Sequence, residues 1–487
     1  MSTEVRALEP KALWNNFADL NAVPRPSKKE ERVIQFMMDF GQKLGLETLQ
    51  DKIGNIIIKK PATPGMEDRK TVLIQSHVDM VHQKNADTNF DFNTQGIDMY
   101  VDGDWVKAKG TTLGADNGIG VATIMALLAS TDIEHPAIEA LFTVDEETGM
   151  TGALGLKGGM LDAEIMLNLD TEDDTELTIG CAGGVDINAS GTYQPEGIAG
   201  DMTGYKISIK GLTGGHSGMD IYLGRGNANK LMNRLLHQAA APFGLRIGSI
   251  DGGGLRNAIP RESVSAVAIP AGQAADFEKF VQELTAILKN EHATTDPNLA
   301  VELEQTDAPS QVLPLDFQAT LLRALYACPN GIYRMSPDIE HLVQTSNNVA
   351  RVLVQDGSMT IQCLTRSSVD SEKMDLAAAI QSALELAGAS VSLSGVYPGW
   401  MPKPGAGIVK LMSDLYREKY NGEAHVNACH AGLECGIIGA NYPEMEMISF
   451  GPNIRGAHSP DEKVQISSVQ KYWDFLLDTL KRIPAKA

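Results

Sequence analysis

The chain has 487 residues, 43% of them hydrophobic, and a formal net charge of −21. Its length exceeds one ordinary hydrophobic core and calls for two or three domains of about 100–200 residues each, while its negative charge argues against nucleic acid, whose phosphates need a clustered basic surface. The five cysteines (Cys181, Cys328, Cys363, Cys429, Cys435) are odd in number and form no CxxC pair, which argues against a disulfide framework and a thiolate zinc site and leaves any metal to His, Asp and Glu.

The opening MSTEVRALEPKALW has no apolar leader behind a basic start, and the longest weakly polar run, Gly120 to Ser130, is too short to cross a bilayer. A cytoplasmic protein with no membrane partner is expected. Residues 10–50 read as two amphipathic helices broken at Pro24 to Pro26, with Ser27 ahead of Glu30 and Glu31 as the cap of the second. NIIIKKP and TVLIQSHV read as strands, Asn85 to Gly110 as a turn-rich loop with a short hairpin, and DNGIGVATIMALLAS as the start of a helix whose small residues permit close packing. AIEALFTVDEE and AEIMLNLDTED are further buried strands, and strands alternating with helices call for an α/β domain with a mostly parallel sheet.

From about Val185 the character changes. YKISIKGLTGGHSG, a helix near Asn227 to Ala241, ESVSAVAIPAG, a helix near Ala275 to Asn290 and AVELEQT follow a β-α-β-β-α-β-like order. A second pass runs from a helix near Phe317 to Ala327 through NVARVLVQDGSMTIQCLTRSS and a further helix to SVSLSG, so the insert reads as a duplicated α+β unit. After YPGWMPKPGAG the first pattern resumes, with a helix at Ile408 to Tyr420, the strand EMEMISFGP and a closing helix from Ser467 to Ile483. The expected organisation is a discontinuous domain of residues 1–184 and 398–487 carrying an insert of residues 185–397.

In such sheets ligands gather at the carboxyl ends of the strands. VLIQSHVD, ALFTVDEE and LNLDTED all run apolar residues into polar ones, so their ends can present His77, Asp79, Glu146, Glu147 and Asp170 in one cleft. With Asp116 and His458 these side chains suit Zn²⁺, Mn²⁺ or Co²⁺. Two divalent cations, roughly 3.5–4 Å apart in two-metal hydrolytic sites, need carboxylates between and around them. Asp116 as bridge, Asp170 with His77 on one ion and Glu147 with His458 on the other meets that need. Asp79 is then left to orient His77, and Glu146 to carry a proton as general base and then acid. Other readings stay open. Glu146 and Glu147 can be exposed strand-end residues, Asp116 a helix cap, His77 and His458 structural histidines, and Asp170 a turn residue.

SHVDMV, TLGADNGIG, DEETG, LNLDTED and GAHSPDE, in this order and separation along nearly the whole chain, resemble the M20 family of dinuclear metallopeptidases. The resemblance implies a zinc-peptidase-like catalytic domain with an inserted lid, and it assigns His77, Asp116, Glu147, Asp170 and His458 as metal ligands. Glu146 becomes the catalytic carboxylate and Asp79 the orienting aspartate, with a cis peptide after Asp116. Zinc is the first expectation for the two ions, with cobalt or manganese as alternatives. GLTGGHSG, GLRNAIP, YPGW and HAGLECG extend the likeness into the insert and the chain's later part. It implies that His216 serves the developing oxyanion, that Asn257 and Arg366 bind the substrate's peptide oxygen or terminal carboxylate, and that His430 and Glu434 line the end of the substrate pocket. A glycine-rich turn, a solvated strand-end charge and core or turn roles are the competing readings of these positions.

The activity implied is hydrolysis of short unblocked peptides, with preference for dipeptides ending in His such as β-alanyl-histidine, by a protein able to form a homodimer. An M20-type amidohydrolase acting on N-acyl amino acids and a noncatalytic peptide-binding or assembly protein are the alternatives.

Overall fold

The structure is a computed structural model describing residues 3–486. Two compact units emerge. The first takes the chain up to Gly180, Trp400–Ala428 and Leu433 onward; the second takes Cys181–Gly399 and Cys429–Gly432.

In the first unit, strands Val72–His77, Ile138–Thr143 and Ile165–Asn168 are buried along their whole lengths, as expected of runs that show no polar alternation. They lie parallel to one another and to Glu446–Ser449. Around this centre the sheet widens to eight strands, with Ile56–Lys60 and Glu47–Gln50 at one edge and Glu176–Cys181 and His425–Cys429 at the other. The sheet is therefore mixed where a mostly parallel one is expected. Glu47–Gln50 and Ile56–Lys60 are joined by a loop too short for a crossover and pair antiparallel.

Parallel strands end on a common edge. His77 is the last residue of one, Glu146 and Glu147 open a helical turn just past Thr143, and Asp170 follows Asn168 by two residues. Helix Ala115–Ala129 is buried almost all round and packs against strand Val72–His77. Asp116 and Asn117 depart from helical dihedral angles, and the peptide between them is cis. The expected hairpin is Met99–Asp102 with Trp105–Ala108. Helices form at Lys11–Asn21 and Glu31–Lys43, but Ser27 does not cap the second. Its hydroxyl instead donates to Asp79 Oδ2 at 2.7 Å, because a buried carboxylate left without donors carries a large desolvation cost; the helix begins at Glu31, with Glu30 in the cap position.

The second unit is built on a nine-stranded sheet. Its main path runs Ala300–Thr306, Met202–Lys210, Ser263–Pro270, Arg246–Gly253, Val343–Gln355, Ser358–Ser367, Gly183–Thr192, Ser390–Tyr397. The pairings are antiparallel, and one face carries the alternating core positions Val185, Ile187 and Ala189 together with residues from helices Ala228–Ala240, Ala274–Glu291, Leu315–Ala327 and Asp370–Leu386. Two halves with the same strand and helix order meet at Arg246–Gly253 and Val343–Gln355. Gly183–Thr192, which precedes the first half in the chain, completes the second.

Gly253 sits near that junction with φ +72°, and a Cβ there would lie 1.8 Å from the Ala350 carbonyl oxygen. Gly253→Ala is expected to destabilise the protein by at least the roughly 1–3 kcal/mol of a left-handed non-glycine residue, read as a lower urea midpoint. An unchanged midpoint would refute the close approach.

Candidate metal centre

The strand ends and the start of the buried helix bring the sequence-predicted acids and imidazoles of the first unit together. Asp116 Oδ1 stands 3.1 Å from His77 Nε2, and Asp116 Oδ2 stands 3.2 Å from His458 Nε2. Asp170 Oδ1 lies 3.6 Å from His77 Nε2, and Glu147 Oε2 lies 3.1 Å from His458 Nε2. Three groups of potential ligand atoms result, His77 with Asp116 and Asp170, Glu147 with Asp116 and His458, and His77 with Glu146 and Glu147, so that His77, Asp116 and Glu147 each belong to two of them.

The electrostatics explain why this arrangement suits cations. Burial opposes charge on His77, yet Asp116, Asp170 and Asp79 overcome it and raise its pKa well above the ordinary histidine value. Asp116 and Glu147 raise that of His458 to about 11. Burial would push the Asp116 carboxyl upward, but bonds from His458 and His77 hold it below the usual range. The imidazole protons thus occupy the place of positive charge among the carboxylates, and they are the protons a divalent cation displaces. Glu147 Oε1 is buried without a hydrogen-bond partner, a free lone pair of the kind a cation takes. The donor set fits two oxygen- and nitrogen-liganded divalent cations.

Glu146 opens the helical turn beside Glu147. Burial raises its pKa well above the ordinary glutamate value; His77 opposes this, and Asp170, Glu434 and Glu147 reinforce it. Asp79 organises the pair from below. Its Oδ1 accepts the Glu146 N–H at 3.1 Å and its Oδ2 the Glu147 N–H at 3.3 Å, and Oδ1 also lies 3.2 Å from His77 Nδ1. Glu30, Asp79 and Asp145 form a further buried cluster, but N–H and O–H donors from Ser27, Lys28, Asp145, Thr148 and Thr151 already reach it. It is a hydrogen-bonded support, not a cation cage.

Asn117 and Glu172 escape a reading by residue type, and Glu434, expected at the substrate pocket, has partners that such a reading does not supply. Asn117 donates to Asp170 Oδ1 at 2.5 Å. Glu172, within the LNLDTED run, has its pKa raised by burial and by the charges of Asp116 and Asp170 to about 8. Glu434 is fully buried and accepts from Gln75 and Thr143, both at 2.6 Å, and burial brings its pKa to about 7. Their short motifs were visible, but their partners lie far off in the chain.

In the second unit, the sheet register sets Tyr397, Gly184, Arg366 and Ser346 in a row across four strands. Gly184 has no Cβ, which would meet the Tyr397 ring at 2.6 Å, so the phenol reaches Arg366 Nη1 at 2.9 Å. Arg366 Nε is buried and unpartnered. His430 Nε2 lies 2.7 Å from Ser346 Oγ, and burial followed by Arg366 and His216 lowers the His430 pKa to about 3. His216 sits on the loop packed under Gly218, whose own Cβ would meet the His430 carbonyl at 2.1 Å and Arg366 Nε at 3.1 Å. The N–H groups of Gly218 and Met219 donate to His216 Nδ1 at 3.1 and 3.0 Å. An accepting Nδ1 leaves the ring proton on Nε2, and burial followed by Arg366 lowers the pKa, favouring the neutral form. Asn257 is exposed beside it, its carbonyl accepting the Ser217 N–H at 2.7 Å.

The model of peptidase family M20/M25/M40 matches residues 73–482. The chain is 43% identical over 484 residues to the cytosol non-specific dipeptidase of Escherichia coli strain K12, covering 99% of this chain and 100% of that protein. Among solved structures, the aminoacylhistidine dipeptidase from Vibrio alginolyticus superposes with a TM-score of 0.94 at 44% identity, over 100% of this chain and 99% of that one. The aminopeptidase PepT from Bacillus cereus shares the fold at 16% identity and a TM-score of 0.57, over 98% and 99% of the two chains. Among the described residues no helix is long and apolar enough to cross a membrane.

Asp79→Asn replaces an acceptor of two N–H groups by an amide whose oxygen accepts one and whose nitrogen cannot accept the other. It is expected to weaken Zn²⁺ binding or turnover roughly 10- to 100-fold, measured by titrating the metal-free protein; wild-type values would remove Asp79 from the site. Nitrogen NMR of His216 is expected to show the neutral Nε2–H tautomer from pH 6.5 to 8, since a lowered pKa leaves the ring uncharged above it.

Proposed function

The chain belongs to peptidase family M20/M25/M40, and from that premise we propose that it is a cytosolic dipeptidase. It cleaves the peptide bond of short unblocked peptides, preferring Xaa-His dipeptides including β-alanyl-histidine. The observation that carries this reading is the sharing of Asp116 between two groups of ligand atoms with Glu146 alongside. Full-length identity to two dipeptidases supports the substrate class.

His77, Asp116 and Asp170 would hold one divalent cation and Asp116, Glu147 and His458 the other, with zinc as the first choice and cobalt or manganese as alternatives. When bound, the pair supplies Lewis acidity for the scissile carbonyl and lowers the pKa of the attacking water. Glu146 accepts the proton of that water on its carboxylate and returns it to the departing amine. Its raised pKa favours the protonated intermediate form. Asp79 keeps Glu146 and Glu147 in register through their backbone N–H groups. His216, with its proton on Nε2, donates to the developing oxyanion, where one placed donor contributes about 3–4 kcal/mol. Arg366 pairs with the terminal carboxylate, Asn257 receives the peptide oxygen, and His430 and Glu434 line the substrate site.

Glu146→Gln is expected to retain both metals by elemental analysis while kcat falls by about 10²- to 10⁴-fold; near-normal turnover would end the assignment. On a substrate panel, β-alanyl-histidine and glycyl-histidine are expected to be cleaved and their N-acetyl derivatives spared. The reverse preference would favour an N-acyl amino acid amidohydrolase, and no turnover with Zn²⁺, Mn²⁺ or Co²⁺ a noncatalytic peptide binder.

A further inference from the structure

Two buried side chains, Arg25 and Glu462, hold the loop that leads into Asp116 from opposite sides. Arg25 is 1% exposed. Its Nη1 donates to the carbonyls of Val78 and Asp79, each at 3.1 Å, and its Nη2 to the Gly114 carbonyl at 2.7 Å and to Asn21 Oδ1 at 2.9 Å. Glu462, 2% exposed, accepts backbone N–H groups in succession. Leu113 and Gly114 donate to Oε2 at 2.7 and 2.9 Å, and Ala115 and Asp116 to Oε1 at 2.7 and 3.2 Å. Gly114 is held by its N–H through Glu462 and by its C=O through Arg25. Only glycine fits there: φ is +69°, and a Cβ would stand 2.5 Å from Arg25 Nη2 and 2.9 Å from Met80 Sδ.

The residue types match the task. Carbonyls from separate segments need a planar fork of donors, which arginine has and lysine lacks. Burial lowers the Arg25 pKa only to about 10, so it stays a cation at neutral pH. A row of N–H groups needs two oxygens that both accept, which an ionised glutamate offers and glutamine does not; burial raises the Glu462 pKa to about 7, and the N–H groups of Gly114, Asp116 and Leu113 oppose that rise by favouring the carboxylate. Arg25 connects the Asp116 loop to the end of the strand bearing His77 and Asp79. Glu462 lies four residues after His458 and connects the same loop to the turn bearing that histidine.

We propose that Arg25 and Glu462 are paired positioning residues that set the spacing of the two cation positions, Arg25 fixing Asp116 relative to His77 and Glu462 fixing it relative to His458. The inference rests on the two-cation reading above. It makes the two substitutions unequal: loss of Glu462 frees one side of the bridge, whereas loss of Arg25 disturbs the strand end as well.

The test compares metal-free wild type, Glu462→Gln, Arg25→Met and Arg25→Lys. Zn²⁺ binding is followed by equilibrium dialysis, the Co²⁺-loaded forms by visible absorption, and the metal-free fold by circular dichroism. Glu462→Gln is expected to keep one tight ion and bind the second roughly 10- to 100-fold more weakly. Arg25→Met is expected to weaken both ions, Arg25→Lys to recover part of the loss, and kcat to fall with ion occupancy while KM holds. Folded variants that bind two ions with wild-type affinity and an unchanged Co²⁺ spectrum would overturn the proposal. So would unfolding of all three variants without metal, which would make these residues general folding elements. If Arg25→Met alone fails to fold, Arg25→Lys decides by the same criterion. A wild type that binds fewer than two ions would overturn the two-cation reading and this inference with it.

Discussion

Carboxylates gathered away from bulk water repel one another, and Asp116, Glu147, Asp170 and Glu146 can remain close only while positive charge is held among them. Asp116 shows how this is met: each of its oxygens faces a different imidazole, from His77 and from His458. Both histidines have raised pKa values for that reason. A pair of divalent cations meets the same requirement with more charge in less space. Geometry that stores this repulsion has to be stiff, because any widening lets water in and weakens the burial that raises the Glu146 pKa.

The stiffness comes from the sheet. Parallel strands with no exposed face cannot shift register without moving the core, so their ends are fixed points. Asp79 then transmits the position of one strand end to the turn after another, through the N–H groups of Glu146 and Glu147. Gln75 joins Asn168, Thr143 and Glu434 beneath the same edge. The second unit solves a different problem with a different sheet. Its antiparallel strands pack the helical core against one face, and a cross-strand row on a sheet can carry a line of polar groups. Arg366 and Ser346 lie in that row, with Tyr397 and His430 bonded to them.

Much of this was legible in the residues. Apolar runs leading to His77, Glu146 and Asp170 announced strand ends, and the motif order announced a two-metal geometry. The pairing of the outer strands was not legible, since an apolar run does not state the direction of its neighbour. Nor was the partner of Ser27: a capping pattern and a donor to a distant buried carboxylate look alike along the chain, and the greater desolvation cost decided between them.

The amino-acid sequence by itself determined the chemistry available: imidazole and carboxylate groups, no thiolate set, the adjacent pair Glu146 and Glu147 at one strand end, and a large α+β insert. Those follow from residue types and short spacings, which act over a few residues of chain. Tertiary structure alone decided which groups share a proton or an oxygen, that His216 keeps its proton on Nε2, and that Arg25 and Glu462 meet across Gly114. Arg25 and Glu462 are far apart in the chain, and nothing local distinguishes either from a solvated surface charge. Only burial against the same loop turns them into partners, because buried backbone N–H and C=O groups must each find a hydrogen bond once water is gone.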